Sequence, residues 1–204
     1  MVTFVLVVLV LFLVPGPAVV LTVTQSLRGG KKAGILTGLG IAVGDLIHTI
    51  ASVLGLSAIL MSSAFAFELV KYIGATYLFV LGIRAFMQKP KKENQLDLKK
   101  NYSAISFRQA VLIETLNPKT ALFFLAFLPQ FVQSDGYPVV VQLIILGFTF
   151  VVMSAMYTTL LAILVSAIGT KLFQKQRFIS RWQDKIVGLV YIGLGLKLVF
   201  ETQK

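Results

Sequence analysis

The chain has 204 residues, of which 57% are hydrophobic and only 13% are charged, and its mean hydropathy is +0.87. A water-soluble domain of this size does not need so much apolar surface, so the composition indicates a helical membrane protein. The net charge of +11 would favour nucleic-acid binding in a soluble protein, but the basic residues cluster in alternate loops, which orientation in a membrane explains better. Because there is no cysteine, disulfides, thiol catalysis and cysteine-bound metal are excluded.

Apolar stretches recur along the whole chain, and most approach or exceed the about twenty residues that cross a bilayer as a helix. We therefore predict an all-α polytopic membrane protein, with a single transmembrane domain over residues 1–204. The first stretch lacks a basic start and a small-residue cleavage site, so we expect a retained span and not a signal peptide. The six predicted transmembrane helices cover residues 2–26, 33–61, 65–86, 105–132, 139–168 and 186–200.

Lysine and arginine are concentrated in the loops after the first, third and fifth spans, and the other two loops carry almost none. The positive-inside rule then places the basic loops in the cytoplasm and both termini outside it. With this orientation, residues 1–87 and 105–204 form two inverted three-helix repeats, joined by a cytoplasmic linker at 88–104.

Proline interrupts the first and the fourth span near mid-depth, at Pro15-Gly16-Pro17 and at Asn117-Pro118-Lys119. Proline lacks an N–H and its ring clashes with the carbonyl four residues back, so neither span can remain one regular helix. The alternative is a packing kink, which is common in membrane helices. Because the breaks fall in corresponding helices of opposed repeats, we predict a transport site between them and assign both runs to substrate binding, through the N–H and carbonyl groups that a broken helix exposes.

Asp45 and His48 lie near mid-depth in the second span, one turn apart on the same helical face. A charged side chain at that depth costs about 2.5–3.5 kcal/mol even on the lenient insertion scale. Asp45 is therefore expected to carry a proton, to accept a substrate ammonium group, or to pair structurally with a cation such as Lys119. We assign Asp45 and His48 to proton coupling, with a hydrogen-bonded core residue as the alternative for His48.

Glu114 and Lys119 flank the break in the fourth span, and Glu114 shares a helical face with Asn117. We assign Glu114 to proton coupling and Lys119 to substrate binding. Lys119 could hold the substrate carboxylate, neutralise Asp45, or simply be neutralised by Glu114.

Tyr157 lies near the middle of the fifth span and is assigned to substrate binding; its neighbours Ser154 and Thr158 could also hydrogen-bond the substrate. Serine and threonine commonly bond the backbone of their own helix, which is the alternative for those two. The phenylalanines of the fourth span are expected to provide packing and lipid-facing bulk: Phe123, Phe124 and Phe127.

No enzyme motif is present. The chain has no histidine pair spaced for a metal, no nucleophile elbow and no phosphate-binding loop. We therefore predict a protein that is not an enzyme and has no metal or cofactor.

Three separated motifs follow one another in the chain. The first runs from Pro15-Gly16-Pro17 through Gly34 and Gly38 to Gly44-Asp45, the second covers residues 71–84, and the third runs from Asn117-Pro118-Lys119 to Pro129-Gln130-Phe131. Together they resemble the LysE/RhtB superfamily of bacterial amino-acid exporters, over the full chain length. The resemblance implies six helices in the inner membrane and proton-coupled export of amino acids, with the homoserine, threonine and leucine branch nearer than the lysine and arginine branch.

We accordingly predict a secondary active exporter of small or branched neutral amino acids, such as threonine, homoserine or leucine, that works by proton antiport and alternating access. Its expected partners are the amino acid, protons and membrane lipid, without nucleic acid, and the glycine-rich second and sixth spans would suit a homodimer. The alternatives are an exporter of basic amino acids or small cations and a passive channel, although these spans are mostly too apolar to line a pore.

Overall fold

The computed structural model describes residues 1–62, 107–133 and 136–168, together with isolated helical positions in the third and sixth predicted spans. Every regular element in these ranges is helical. The elements are α1 (Val2–Leu13), α2 (Pro17–Ser62), α3 (Phe107–Thr115), α4 (Pro118–Leu122), a π-helical turn (Phe123–Phe127), a 3-10 turn (Leu128–Phe131) and α5 (Val139–Ile168).

The described helices are long and apolar enough for a membrane protein. Pro17–Leu56 and Val139–Ile168 each qualify as membrane-spanning by length and hydropathy, and Phe107–Thr115 with Pro118–Phe131 qualifies as one broken span. The all-helical membrane fold is thus confirmed. The third span, the 88–104 linker and the sixth span lie largely outside the described residues, so the six-helix inverted repeat, the orientation of the termini and the homodimer stay predictions.

The first predicted break is present. α1 ends at Leu13, Val14 is extended (φ −77°, ψ 113°), and α2 begins at Pro17. Proline at the first helical position loses nothing, because that N–H has no partner inside the helix and the ring pre-sets the helical φ. The first predicted span is therefore α1, a short extended segment, and the start of α2.

α2 turns back on itself at Gly30. This residue has φ 72° and ψ −172°, a conformation that is essentially restricted to glycine. A Cβ on Gly34 would collide with the side chain of Ser26, although eight residues of straight helix would separate the two by about 12 Å. The first arm (residues 17–29) and the second arm (residues 31–62) therefore form a hairpin, and the basic loop predicted at 28–32 is a turn at one glycine.

The break in the fourth span is present as well. α3 ends at Thr115, Asn117 is extended (φ −75°, ψ 108°), and α4 begins at Pro118, with a bend of 45° between the two halves. The two breaks therefore share one construction: an extended residue and a proline as the first residue of the next helix.

The π-helical turn that follows α4 was not predicted. The Leu128 N–H donates to the Phe123 carbonyl, five residues back. Pro129 has no N–H to offer the carbonyl of Leu125, and its ring would clash with that carbonyl in a regular helix. The wider turn relieves the clash, and such turns occur frequently at functional sites.

Glycines bring the second arm of α2 against two helices at once. A Cβ at Gly40 would lie 2.7 Å from Ala110 Cβ and one at Gly44 would lie 2.5 Å from Glu114 Cβ, both on α3. On another side, a Cβ at Gly38 would lie 2.7 Å from Thr158 Oγ1 of α5. Close approach of small residues is what holds helices together in lipid, and here it places Asp45 between α3 and α5.

The main apolar cluster joins α1, the π-helical turn and α5 through stacked and edge-to-face rings. Phe123, Phe124 and Phe127 are 3%, 1% and 4% exposed, so they supply packing as predicted, but the prediction that they face lipid is wrong. The π-helical turn rotates them inward, where they meet the rings of α1 and α5: Phe4, Phe12 and Phe150.

Replacing Gly30 by alanine tests the hairpin. Alanine at this φ is strained by about 1–3 kcal/mol, so Gly30→Ala should lower the unfolding temperature of the purified protein in detergent. The matched control is Gly55→Ala, because Gly55 also has open space around it but sits in regular helix. That change should be neutral or stabilising by up to about 1 kcal/mol. Equal effects of the two substitutions would contradict the turn.

Candidate functional site

The two breaks meet through Lys119. Its Nζ donates hydrogen bonds to the backbone carbonyls of Leu11 (2.8 Å) and Val14 (2.7 Å), at the end of α1. The lysine stem lies across Gly16, where a Cβ would be 3.2 Å from Lys119 Cδ. The Leu11 carbonyl also accepts a hydrogen bond from the Val14 N–H (3.2 Å). Carbonyls at a helix C-terminus carry partial negative charge, so an ammonium group is favourable there. A side chain from the second break thus satisfies the backbone of the first.

Asn117 shapes the second break. Pro118 forces it out of helical angles, and its Oδ1 then accepts a hydrogen bond from the Lys119 N–H (3.1 Å) and caps α4. Its Nδ2 donates to both carboxylate oxygens of Glu114 (3.1 Å each). One amide side chain therefore fixes both the start of α4 and the orientation of Glu114.

Glu114 is the acceptor at the centre of this network. It is 2% exposed, and its Oε1 accepts from the Thr120 hydroxyl (2.5 Å) in addition to Asn117. Its Cβ can lie against α2 because Gly44 has no side chain. The described donors to this carboxylate are neutral, so they orient it without cancelling its charge.

Asp45 is the second buried carboxyl group, at 1% exposure. Its side chain interacts with the hydroxyl of Ser154 and with the carboxyl group of Glu114. Among the residues that the structure describes, its Oδ2 has no hydrogen-bond partner. A buried carboxylate oxygen without a partner is costly, which marks this atom as a position for a proton or a ligand.

His48 contacts Glu114 and not Asp45. Its Nε2 lies 3.0 Å from the Glu114 backbone carbonyl, and its ring stacks on Phe124 at 5.9 Å. A carbonyl can only accept, so Nε2 carries the hydrogen and the imidazole acts here as a donor. This geometry ties α2 to the end of α3.

Tyr157 reaches the first break through an aromatic contact. Its half-buried ring stacks on Phe12, two residues before Val14, at 5.3 Å. Its neighbour Thr158 donates to the Ser154 carbonyl of its own helix (2.8 Å), which is the alternative that the sequence offered for it.

Most of the predicted site residues fall into two groups. Asp45, Glu114, Asn117 and Lys119 form one buried cluster, in which the charge of Lys119 interacts with both carboxyl groups. The three prolines act through the backbone, because their own rings are exposed: Pro15, Pro17 and Pro118. Across residues 1–62, 107–133 and 136–168, no group of three or more histidine, aspartate or glutamate side chains could hold a metal ion.

Sequence reasoning missed Thr120 and the two carbonyls that bind Lys119. Thr120 lies six residues from Glu114, and helical periodicity does not pair them because the break intervenes. The sequence predicts that such carbonyls exist, since a helix stopped by proline leaves its last carbonyls without helical partners. It does not predict that Lys119 binds them, because Lys119 lies 108 positions further along the chain than Leu11.

Replacing Thr120 by valine tests the Glu114 network. The substitution keeps the shape but removes a hydrogen bond to a charged group, which should cost about 1.5–3 kcal/mol of stability in detergent unfolding. Thr115→Val is the matched control, because the Thr115 hydroxyl donates only to the Val111 carbonyl of its own helix. A Thr120→Val protein as stable as the Thr115→Val protein would contradict this role.

The chain is similar to known proteins along most of its length. A family model described as LysE type translocator matches residues 9–202. An uncharacterized membrane protein of Bacillus subtilis, YrhP, is 31% identical over 194 residues, which cover 91% of each chain. Two leucine efflux proteins are also similar: that of Klebsiella pneumoniae at 25% identity over 92% of this chain and 89% of its own, and that of Salmonella choleraesuis at 28% over 91% and 88%.

No solved structure matches the chain. The family model and YrhP nevertheless cover most of its length, and the resemblance to the LysE/RhtB superfamily is confirmed. The protein is a membrane transporter and not an enzyme, and it belongs to the family of LysE type translocators.

Proposed function

We propose that this transporter exports small or branched neutral amino acids, such as leucine, threonine or homoserine, across the inner membrane by proton antiport and alternating access. The leucine efflux proteins among its relatives support the substrate class. The two breaks support a site between opposed halves of the transporter, at the depth where broken helices of other transporters bind their substrates.

The observation that carries the proposal is that Asp45 Oδ2, inside a charged cluster, has no hydrogen-bond partner among the described residues. When Asp45, Glu114 and Lys119 are all ionised, the cluster has one negative charge in excess. A net charge buried in lipid is unfavourable, so either a proton or an additional cation must balance it. Because one oxygen cannot hold both, a cation that reaches Asp45 displaces the proton, and this exclusion is what antiport requires.

Both ends of an amino-acid zwitterion have suitable partners at the first break. The carbonyls of Leu11 and Val14 accept hydrogen bonds from an ammonium group, as their contacts with Lys119 illustrate. The start of α2 offers backbone N–H groups and the positive end of the helix dipole to a carboxylate. Gly16, between them, has no side chain to prevent close approach.

The charge distribution of the loops supports alternating access. Three basic loops in the cytoplasm and both termini outside put the two repeats in opposite orientations, as alternating access between inverted repeats requires. The proposed substrate would then enter from the cytoplasm while protons enter from the outside.

A substrate panel in proteoliposomes with an imposed pH difference tests the proposal. Leucine, threonine or homoserine should accumulate in the liposomes against its own concentration gradient only when the imposed pH difference drives protons out of them. Accumulation of lysine, arginine or a small organic cation alone would replace the proposed substrate class. Flux that never saturates and does not respond to the gradient would identify a passive channel.

Replacing Asp45 by asparagine tests the coupling. Asp45→Asn keeps the shape but cannot release a proton, so gradient-driven accumulation should fall to the level of protein-free liposomes. Exchange of labelled for unlabelled substrate at equal pH needs no net proton movement and should persist, which serves as the control for folding. Full gradient-driven accumulation by Asp45→Asn would contradict the role of Asp45.

A further inference from the structure

The ammonium group of Lys119 binds two backbone carbonyls at the end of α1. Two backbone carbonyls, of Leu11 and Val14, take two of its three hydrogens at 2.8 and 2.7 Å. We call this pair of carbonyls the cradle. The cradle recognises only hydrogen-bond donors and positive charge, and the α-ammonium group of an amino acid presents the same three N–H bonds as the lysine side chain.

The backbone of Lys119 is fixed, whereas its side chain can move. Its N–H is held by Asn117 Oδ1 at 3.1 Å, which fixes the start of α4. The side chain beyond Cβ is a flexible stem that lies across Gly16, and a Cβ at Gly16 would come within 3.5 Å of Nζ itself. The ammonium group can therefore leave the cradle without moving the helix that carries it.

The carboxyl groups of Glu114 and Asp45 offer a second binding position for the Lys119 ammonium group. Its charge already interacts with Glu114 and Asp45, and Asp45 Oδ2 has no hydrogen-bond partner among the described residues. The carboxyl groups can therefore accept the ammonium that leaves the cradle. Every charge keeps a partner in this exchange, whereas an empty cradle would take from the Val14 carbonyl the hydrogen bond that Lys119 donates to it.

We infer that Lys119 is an internal stand-in for substrate: in the empty transporter it occupies the site of the substrate ammonium group, and substrate binds by displacing it toward Asp45 and Glu114. This inference rests on the proposed function for the identity of the displacing ligand, an amino acid. It makes Lys119 a competitor of the substrate and not the group that holds the substrate carboxylate.

The first experiment probes the cradle with n-propylammonium. Lys119→Ala removes the stem and its charge, and propylammonium supplies the same three carbons and ammonium group. Saturable propylammonium binding should raise the unfolding temperature of the purified Lys119→Ala protein more than that of the wild type, because the wild-type lysine competes for the cradle. Propan-1-ol, which lacks the charge, should not substitute. Equal responses of the two proteins, or an equal effect of propanol, would overturn the inference.

The second experiment measures competition by binding assays in detergent. For the amino acid identified in the substrate panel, Lys119→Met should bind about tenfold more tightly than the wild type if lysine occupies the cradle nine-tenths of the time. The α-hydroxy acid with the same side chain has no ammonium group, so it should bind Lys119→Met no more tightly than the wild type. Weaker binding of both ligands by Lys119→Met would show that Lys119 holds the carboxylate and would overturn the inference.

The two experiments separate the inference from the proposed function. If no amino acid binds the wild type, the proposed function fails, while the propylammonium response still decides whether the cradle is an ammonium site. A Lys119→Ala protein that can be purified only with propylammonium supports the inference. If it cannot be purified in either condition, the Lys119→Met binding measurements decide.

Discussion

The contact between the Lys119 ammonium group and the carbonyls at the end of α1 is the interaction on which the described arrangement depends. Proline stops a helix in each of two apolar spans, and lipid has no hydrogen-bond partners for the backbone groups that are freed. Lys119 donates to two carbonyls at the end of α1, those of Leu11 and Val14, from the opposite break. The two breaks therefore face each other, and the place where they meet is polar.

The rest of the fold brings the acidic groups to this meeting point. Gly40 and Gly44 admit α3 against the second arm of α2, and Gly38 admits α5 from another side. These contacts bury Asp45 and Glu114 side by side, with Asn117 and Thr120 orienting Glu114. Three ionisable side chains within one buried cluster make its charge sensitive to any proton or cation that enters, which is the physical basis for the proposed coupling.

The sequence predicted the features that depend on local chemistry. Pro17 and Pro118 interrupt a helix whatever surrounds them, and Asp45 and Glu114 are conspicuous because charge is rare in apolar spans. The partners of Lys119 could not be predicted, because they lie on a helix 105 to 108 positions earlier and belong to the backbone. The π-helical turn was missed for a related reason: Pro129 indicates an irregularity, but whether it shifts Phe123 and Phe124 inward depends on the rings of α1 and α5.

The most direct test of the account is an experimental structure of the transporter with its transported amino acid bound. The ligand should lie between the two breaks, with its ammonium group on the carbonyls of Leu11 and Val14 and with Lys119 moved toward Asp45. A ligand bound away from both breaks, with Lys119 still on the end of α1, would contradict it.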